Sequence, residues 1–315
     1  FYYYDNEDHL ITAGATTFQH DLDGFLASRT AENGTTTYEY SSRGELLGVG
    51  LPGGRIVEYI HDPLGRRIAK RVNGVIVEKY LWHNRTRLLA VFDASDNLIM
   101  RFEYAADRMP EAMIHSGKRY YLGYDQVGSL RVVADTAGNV VKRIEYDSFG
   151  NIIEDSDKTF AVPLGFAGGL HDPDTGLVRF GFRDYDPDTG RWTAKDPIGF
   201  AGGDTDLYGY VLNDPINLLD PLGLDSANES GSTLPDIPSF SDAFPDSDFI
   251  APIADIVTGG IEAGWASACG VAGGIAFLAG PEFWWISFWA FPSSVGYGWD
   301  AFGRIKGGID RLNDK

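Results

Sequence analysis

The feature that most constrains the fold of this chain is an aromatic residue that recurs every 20 to 22 positions. A second large side chain, aromatic or aliphatic, lies two positions earlier in each repeat. Because side chains two apart in a strand point to the same face, the two rows predict a continuous wall on one face of a sheet. The first row comprises His20, Tyr40, His61, Trp82, Tyr104, Tyr124 and Tyr146, and the second row comprises Phe18, Tyr38, Tyr59, Tyr80, Phe102, Leu122 and Ile144.

A turn signal follows the first row in most repeats, at 21–24, 41–44, 62–65, 125–128 and 147–150. It consists of Asp or Ser, two variable residues and Gly, in which the side-chain oxygen caps the turn and Gly supplies a positive φ. Each repeat therefore predicts strand, turn and strand, a hairpin that is stable only when stacked on others. The predicted fold class is mainly β, as one long curled sheet of hairpins. A β-sandwich is the alternative, although sandwiches do not keep so regular a period.

Composition and charge exclude several classes of function. The formal net charge is −19, which opposes binding to phosphate backbones, so nucleic acid is not an expected partner. His20 and His61 are interpreted as wall residues, because no second His or Cys lies at ligand spacing, and neither a metal nor a cofactor is predicted. A single cysteine, Cys269, excludes an internal disulfide framework. The first ten residues show no signal peptide, and they predict a chain that starts inside a larger protein.

The stretch 171–224 combines five Asp-Pro steps with three arginines, in the order GFRDYDPDTGRW, KDPIG, LYGYVLNDP and DPLGL. This order resembles the core of the Rhs and YD-repeat family of polymorphic toxins, which includes the C subunits of insecticidal toxin complexes. The resemblance implies a hollow spiral shell of β-hairpins, of which these repeats would form a part. It also implies a self-cleaving aspartyl protease at the end of the shell and a variable C-terminal toxin released after the leucine of DPxGL.

Three residues match the cleavage apparatus that the resemblance implies: Arg183 in GFRDYDP, Asp196 in KDPIG and Asp220 in DPLGL. The bond cut would join Leu224 to Asp225. Asp before Pro is also a common opening of a turn, which leaves an alternative in which Arg183 and Asp196 form a structural ion pair and DPLGL ends the domain.

Two carboxyl groups at close range supply an acid and a base in one site, because one keeps a proton while the other ionises. The ionised member would activate a water toward the Leu224 carbonyl, the protonated member would donate to the carbonyl oxygen or the leaving amide, and Arg183 would orient one carboxylate. Which aspartate is the acid stays open, since the pKa values belong to the pair. The reaction would occur once, in cis, and Asp220 requires the chain to fold back.

The residues around this set are predicted to support it. Arg191 and Trp192 in GRW, and the LYGYV run with its two tyrosines, are predicted as scaffold strands. The chain departs from the family pattern at Asp206, where family members often carry Asn before Leu-Tyr, and this difference is expected to change the chemistry of the loop.

Composition changes after Leu224. Residues 225–248 are acidic and rich in Ser and Pro, which predicts a tether without a core. Residues 249–315 are hydrophobic, and 261–280 with 283–297 predict a helical hairpin with many tryptophans and small residues. Membrane insertion or pore formation, a storage plug or linker before a toxin outside this chain, and a small soluble enzyme all stay open. The absence of histidine after His171 disfavours the enzyme.

The predicted organisation is a YD-repeat shell at 1–160, a self-cleaving core at 161–224, a tether at 225–248 and an effector or plug at 249–315. The resemblance implies a secreted protein, or one delivered into target cells by a specialised secretion system in competition between cells. Its expected partners are its own effector segment, an immunity protein, a component of the secretion system and a target membrane. The alternative function is a structural or adhesive YD-repeat surface protein that does not cleave itself.

Overall fold

The computed structural model describes residues 1–105 and 108–224, and this part of the chain is mainly β. Sixteen strands form one sheet in which each strand pairs antiparallel with the next along the chain. The strands are β1 (Tyr2–Tyr4), β2 (Leu10–Ala13), β3 (Thr16–His20), β4 (Leu26–Ala31), β5 (Gly34–Tyr40), β6 (Leu46–Gly50), β7 (Ile56–His61), β8 (Arg67–Val72), β9 (Val75–Trp82), β10 (Leu88–Phe92), β11 (Leu98–Glu103), β12 (Ala112–His115), β13 (Lys118–Tyr124), β14 (Leu130–Asp135), β15 (Val140–Tyr146) and β16 (Ile152–Asp155). The predicted fold class is confirmed for the described residues.

The first row of the repeat marks the end of every second strand from β3 to β15. Its members are the last residues of their strands, except Tyr104, which follows β11 directly. In β3, β5, β7, β13 and β15 the pairing register shifts immediately before the row residue. A bulge of this kind bends the strand and increases its twist, so the same bend recurs from repeat to repeat.

The second row forms the buried wall. Apart from Tyr38, which is half-buried, its members are all buried. They belong to hydrophobic clusters that follow one another along the sheet, around Phe18, then Tyr59, then Tyr80 and Phe102. Because burying one such side chain contributes about 1.5–3 kcal/mol, the repeated wall is a main source of the sheet's stability.

The predicted turns are present at all five positions. In each, the Gly N–H donates to the carbonyl of the Asp or Ser three residues earlier, at 2.8–3.2 Å. At Asp21 the carboxylate accepts the N–H groups of Asp23 and Phe25, at 2.9 and 2.8 Å. Gly24 has a φ of +83°, a conformation that favours glycine. The signal is missing after Trp82 and after Tyr104, and in the first of these repeats Asn84 caps the turn instead.

A second, smaller sheet follows the wall. It contains β17 (Leu170–His171), β18 (Val178–Phe180), β19 (Arg183–Asp186) and β20 (Arg191–Trp192), all antiparallel. Its aromatic cluster is centred on the fully buried Tyr185 and Tyr210. Three short 3-10 helices, Phe166–Gly168, Gly199–Gly202 and Val211–Asn213, connect the rest of this region.

The second sheet is attached to the large sheet by side chains that cross between them. Leu177 packs in the cluster of Tyr59, and the Tyr185 hydroxyl donates to the carbonyl of Phe149 at 2.8 Å. The Tyr208 hydroxyl donates to the carbonyl of Gly24 at 2.7 Å. These contacts join residues of the predicted core, 161–224, to the first, third and last repeats.

Candidate active site

The five aspartates that precede proline each bind a nearby group. Asp172, Asp186 and Asp196 accept the N–H two residues later, at 2.8–3.1 Å. Asp214 accepts the side-chain amide of Asn217, and Asp220 accepts the N–H of Leu224 at 3.0 Å. All five therefore open turns, as Asp before Pro commonly does.

Arg183 brings two of these aspartates together. It lies in β19 with its side chain 5% exposed, and its Nη2 atom is 2.8 Å from Oδ2 of Asp196 and 3.4 Å from Oδ2 of Asp220. Since both distances share one nitrogen, the two carboxylate oxygens are separated by no more than the sum of these lengths. The three predicted residues thus converge on one point, although they lie far apart in the sequence.

The remaining donors of Arg183 hold the backbone around the site. Its Nε donates to the carbonyl of Gly223 at 2.6 Å, and its Nη1 donates to the carbonyl of Leu207 at 3.2 Å. The guanidinium carbon lies 4.3 Å from the centroid of the Trp192 ring, and the face of this ring stabilises the charge by a cation–π interaction. Arg183 therefore binds the DPLGL turn and the carboxylates at the same time.

The DPLGL turn is docked through its backbone. The N–H of Phe182 donates to the carbonyl of Leu222 at 2.8 Å, and the N–H of Gly223 donates to the carbonyl of Asp220 at 3.3 Å. Gly223 has a φ of +67°, and a Cβ there would lie 2.8 Å from the carbonyl oxygen of Phe180. The motif needs glycine at this position for both reasons, and the chain folds back as the use of Asp220 requires.

Gly202 is a site residue that sequence reasoning missed. A Cβ on Gly202 would lie 2.5 Å from the carbonyl oxygen of Leu224 and 3.0 Å from Oδ2 of Asp196. The absent side chain thus leaves room between the carbonyl of the predicted cleavage point and one predicted catalytic carboxylate. The signal in the sequence was the Gly202-Gly203 pair within the loop after KDPIG.

These groups line a cleft with about 320 Å³ of empty space, part of which is open solvent. Asp196 is 9% exposed and Asp220 is 4% exposed, so both carboxylates are largely removed from water. Burial lowers the pKa of Arg183, and the two carboxylates oppose that change. One buried guanidinium therefore faces two largely buried carboxylates.

The predicted supporting residues are only partly as expected. Arg191 and Trp192 form β20, but the LYGYV run is no strand: it makes one bridge, between Gly209 and Arg191, and its last residue begins the Val211–Asn213 helix. The strand prediction was wrong because Val211 has a φ of +45°, which ends extended structure.

The carboxylate of Asp206, the point of departure from the family pattern, is bound by both terminal nitrogens of Arg191, at 2.8 and 2.7 Å. This is a charge-assisted pair that an Asn could not form in the same way.

Several predictions concern residues outside the described part of the chain. They are Asp225, on the C-terminal side of the predicted cut, the tether at 225–248, and the helical hairpin within 249–315. Within residues 1–105 and 108–224, no helix has the length and hydropathy of a membrane span. In the same residues, no group of three or more His, Cys, Asp or Glu side chains could hold a metal ion. His20 and His61, interpreted from the sequence as wall residues, are the last residues of β3 and β7.

A family model described as Teneurin YD-shell matches residues 1–216. The chain is 34% identical over 224 residues to Teneurin-3 of Danio rerio, and 34% identical over 224 residues to Teneurin-m of Drosophila melanogaster. Each alignment covers 68% of this chain and 8% of the relative, so the chain spans less than a tenth of the curated relatives' length.

Solved structures also show similarity. The Tc holotoxin pore of Photorhabdus luminescens aligns with a TM-score of 0.49 and 18% identity, over 73% of this chain and 15% of that one. The TcdB2-TccC3 crystal structure aligns with a TM-score of 0.44 and 22% identity, over 70% of this chain and 11% of that one.

Proposed function

Because the chain belongs to the teneurin YD-shell family, we propose that it is part of a YD-repeat shell that cuts its own chain once, between Leu224 and Asp225. The observation that carries the proposal is the convergence of Asp196 and Asp220 on Arg183, beside the backbone of Leu224. The segment 225–315 would then be the product that the shell releases.

The reaction is hydrolysis of a peptide bond. The oxygen of one water molecule bonds to the carbonyl carbon of Leu224 and keeps one of its protons, the bond from that carbon to the nitrogen of Asp225 breaks, and the two products are a Leu224 carboxylic acid and an Asp225 amine. The ionised aspartate takes the first proton from water, and the protonated aspartate gives its proton to the leaving nitrogen. The pair of aspartates therefore returns to its starting charge.

Two features of the geometry support this chemistry. Gly202 leaves space next to both the Leu224 carbonyl oxygen and Asp196, where a reacting group can fit. Five hydrogen bonds hold residues 220–224 in place, so little conformational entropy remains to be lost when this backbone is oriented for the reaction. The hydrogen bond from Leu224 N–H to Asp220 puts the second carboxylate on the peptide unit next to the proposed cut.

The test is production of the full chain with and without single Asn substitutions. We expect two bands on a denaturing gel for the parent, with the smaller fragment beginning at Asp225, and one uncut band for Asp196→Asn and for Asp220→Asn. Asp214→Asn is the matched control, because Asp214 also precedes Pro, and within residues 1–105 and 108–224 its side-chain partner is Asn217 alone. Cleavage that persists in both site variants, or a fragment that begins elsewhere, would refute the assignment.

A second candidate is a structural shell that never cleaves. The match to the teneurin YD-shell model favours it, since that match covers the wall and most of the core. The bonds of Arg183 are also those of a well-satisfied buried ion pair, which needs no reaction to explain it. An uncut parent chain that is folded and stable would support this candidate over the protease.

The fate of 225–315 is a further part of the proposal. A shell that releases a hydrophobic segment fits a secreted protein whose cargo acts on a target membrane, with an immunity protein and a secretion component as partners. Dye release from liposomes by the cleaved parent, and none by uncut Asp220→Asn, would support the membrane role. No release by either protein would argue for a plug, and equal release by both would show that the action on membranes does not depend on cleavage.

A further inference from the structure

A buried group of charges joins the large sheet to the strand that carries Arg183. Asp184, in β19, is 1% exposed, and its two oxygens accept from Nη2 of Arg67 and Nη1 of Arg179, both at 2.8 Å. Arg67 begins β8 of the large sheet, and its side chain is 2% exposed. This charge group, Arg67, Arg179 and Asp184, spans the two sheets.

The charge group is held rigidly by three neighbouring strands of the wall. The Arg67 guanidinium carbon lies 3.5 Å from the centroid of the Tyr59 ring in β7. The Trp82 side chain in β9 donates to the carbonyl of Arg67 at 2.7 Å. Arg67 therefore reaches its observed position only when β7, β8 and β9 have paired.

Asp184 is directly connected to the site. It follows Arg183 in β19, and neighbouring side chains of a strand point to opposite faces, so Asp184 faces the wall while Arg183 faces the cleft. The carbonyl of Asp184 accepts from the backbone N–H and the hydroxyl of Thr193, at 2.9 and 3.1 Å. Asp196 lies three residues beyond Thr193.

The same short segment has a second attachment to the wall. The carbonyl of Thr193 accepts from the N–H of Leu26 at 2.9 Å and from the Tyr40 hydroxyl at 3.4 Å. Asp184 and Thr193 are thus both bound to the large sheet. Arg183 is the neighbour of Asp184 in the chain, and Asp196 lies three residues after Thr193.

We propose that Arg67 is a positioning residue that makes cleavage conditional on the assembled shell. This inference rests on the proposed self-cleavage. Without Arg67, the buried carboxylate of Asp184 would keep Arg179 as a partner, but its Oδ1 would lose the donor that Arg67 supplies, and β19 would shift from its place on the large sheet. Arg183 would then lose its alignment with Asp196 and Asp220, so an incompletely folded chain would not release its C-terminal segment early.

The kinetic test follows cleavage of the full chain after pulse-labelled cell-free synthesis. We expect Arg67→Met to slow cleavage on the order of a hundredfold, as small misplacements of catalytic groups do. Arg67→Lys, which keeps the charge, should recover most of the rate. The matched control is Lys142→Met, which removes a cation that is 3% exposed and paired with Asp155 within the large sheet.

A second measurement detects the position of the site without cleavage. In the Asp196→Asn background, we compare backbone amide exchange at Phe182 and Leu224, whose N–H groups bind Leu222 and Asp220. We expect faster exchange after Arg67→Met and no change after Lys142→Met, with both variants folded by circular dichroism.

The outcomes separate the two proposals. A parent that is never cut refutes the proposed protease, while the exchange comparison still supports or refutes the positioning by Arg67. Normal cleavage or unchanged exchange in Arg67→Met overturns the inference. An equal effect of Lys142→Met also overturns it, because the loss would then reflect stability alone.

Discussion

The backbone N–H of Leu224 donates a 3.0 Å hydrogen bond to Oδ1 of Asp220. The turn that makes this bond closes four residues into a loop, so a carboxylate reaches the peptide unit next to the predicted cut. Its other oxygen is left facing Arg183 at 3.4 Å. In the proposed cleavage, Asp220 would therefore hold the substrate backbone with one oxygen and belong to the acid-base pair with the other.

The several nitrogen donors of the Arg183 guanidinium should contribute more to cleavage than its positive charge alone. In Arg183→Lys a single ammonium replaces donors that reach Gly223, Leu207 and Asp196 together, so the turn and the carboxylates are no longer held at once. We expect self-cleavage on the order of a hundredfold slower, measured as the cut fraction against time. Arg29→Lys, at an ion pair outside the cleft, should cleave at the parent's rate. Parent-like cleavage by Arg183→Lys would show that charge alone suffices.

Gly202 should tolerate no side chain. In Gly202→Ala the new methyl group would lie 2.5 Å from the Leu224 carbonyl oxygen, well inside contact distance, so the carbonyl must shift away from Asp196. We expect cleavage to slow about tenfold or more, with thermal stability nearly unchanged, since φ at Gly202 is outside the left-handed region. Gly123→Ala is the control, because a Cβ there makes ordinary contacts at 3.7 Å. Unchanged cleavage by Gly202→Ala would mean that this space is not used.

The wall could be predicted from sequence because it depends on local rules that recur. Alternation within a strand sets the face of Tyr59 and His61, and the turn from Asp62 to Gly65 needs only its own residues. The proposed catalytic set was assigned only through the family resemblance, since nothing in its spacing shows that Arg183 and Asp220 meet.

The charge group of Arg67 and Asp184 could not be predicted in this way. The two residues are 117 positions apart, and their pairing depends on how one sheet packs on the other. The available hint was the sequence GRRIAK, which carries three basic residues within one repeat. The LYGYV run failed for a related reason, because tertiary packing around Tyr210 holds Val211 in a conformation that its β-branched side chain disfavours.

His61 should make the fold sensitive to acid. Burial, with nearby arginines, lowers the pKa of His61 to about 2 in the folded protein, against 6.5 for the free side chain. Between pH 6.5 and 2 the unfolded chain therefore binds a proton on His61 that the folded chain does not bind. The free energy of unfolding decreases as pH falls below 6.5. At pH 5 the loss from this residue is about 2 kcal/mol.

The substitution that tests this is His61→Phe, which keeps a ring in the first row. Urea unfolding at pH 5 and pH 8 gives the pH-dependent difference, in which any constant packing cost cancels. We expect that difference to shrink by about 2 kcal/mol in the variant. A variant that stays as acid-sensitive as the parent would place the responsible proton on another residue.

Asp186 should lower the free energy of unfolding at neutral pH, whereas His61 lowers it in acid. Burial raises its pKa to about 6, although Nη1 of Arg29 lies 3.5 Å from its Oδ2, so desolvation outweighs this ion pair. The folded chain then holds a proton that the unfolded chain releases above 3.8, and the free energy of unfolding decreases as pH rises from about 4 to 6. The total cost above pH 6 is about 3 kcal/mol.

Asp186→Asn removes that cost and keeps an oxygen to accept the N–H of Asp188, which binds at 3.1 Å in the parent. By urea unfolding we expect the variant to be more stable than the parent at pH 8, by up to about 3 kcal/mol, and similar to it at pH 4. Asp188→Asn, at a carboxylate whose side chain is 57% exposed, should bring no such gain. Lower stability of Asp186→Asn at pH 8 would mean that the attraction of Arg29 exceeds the cost of burial, and that the second sheet depends on this charge.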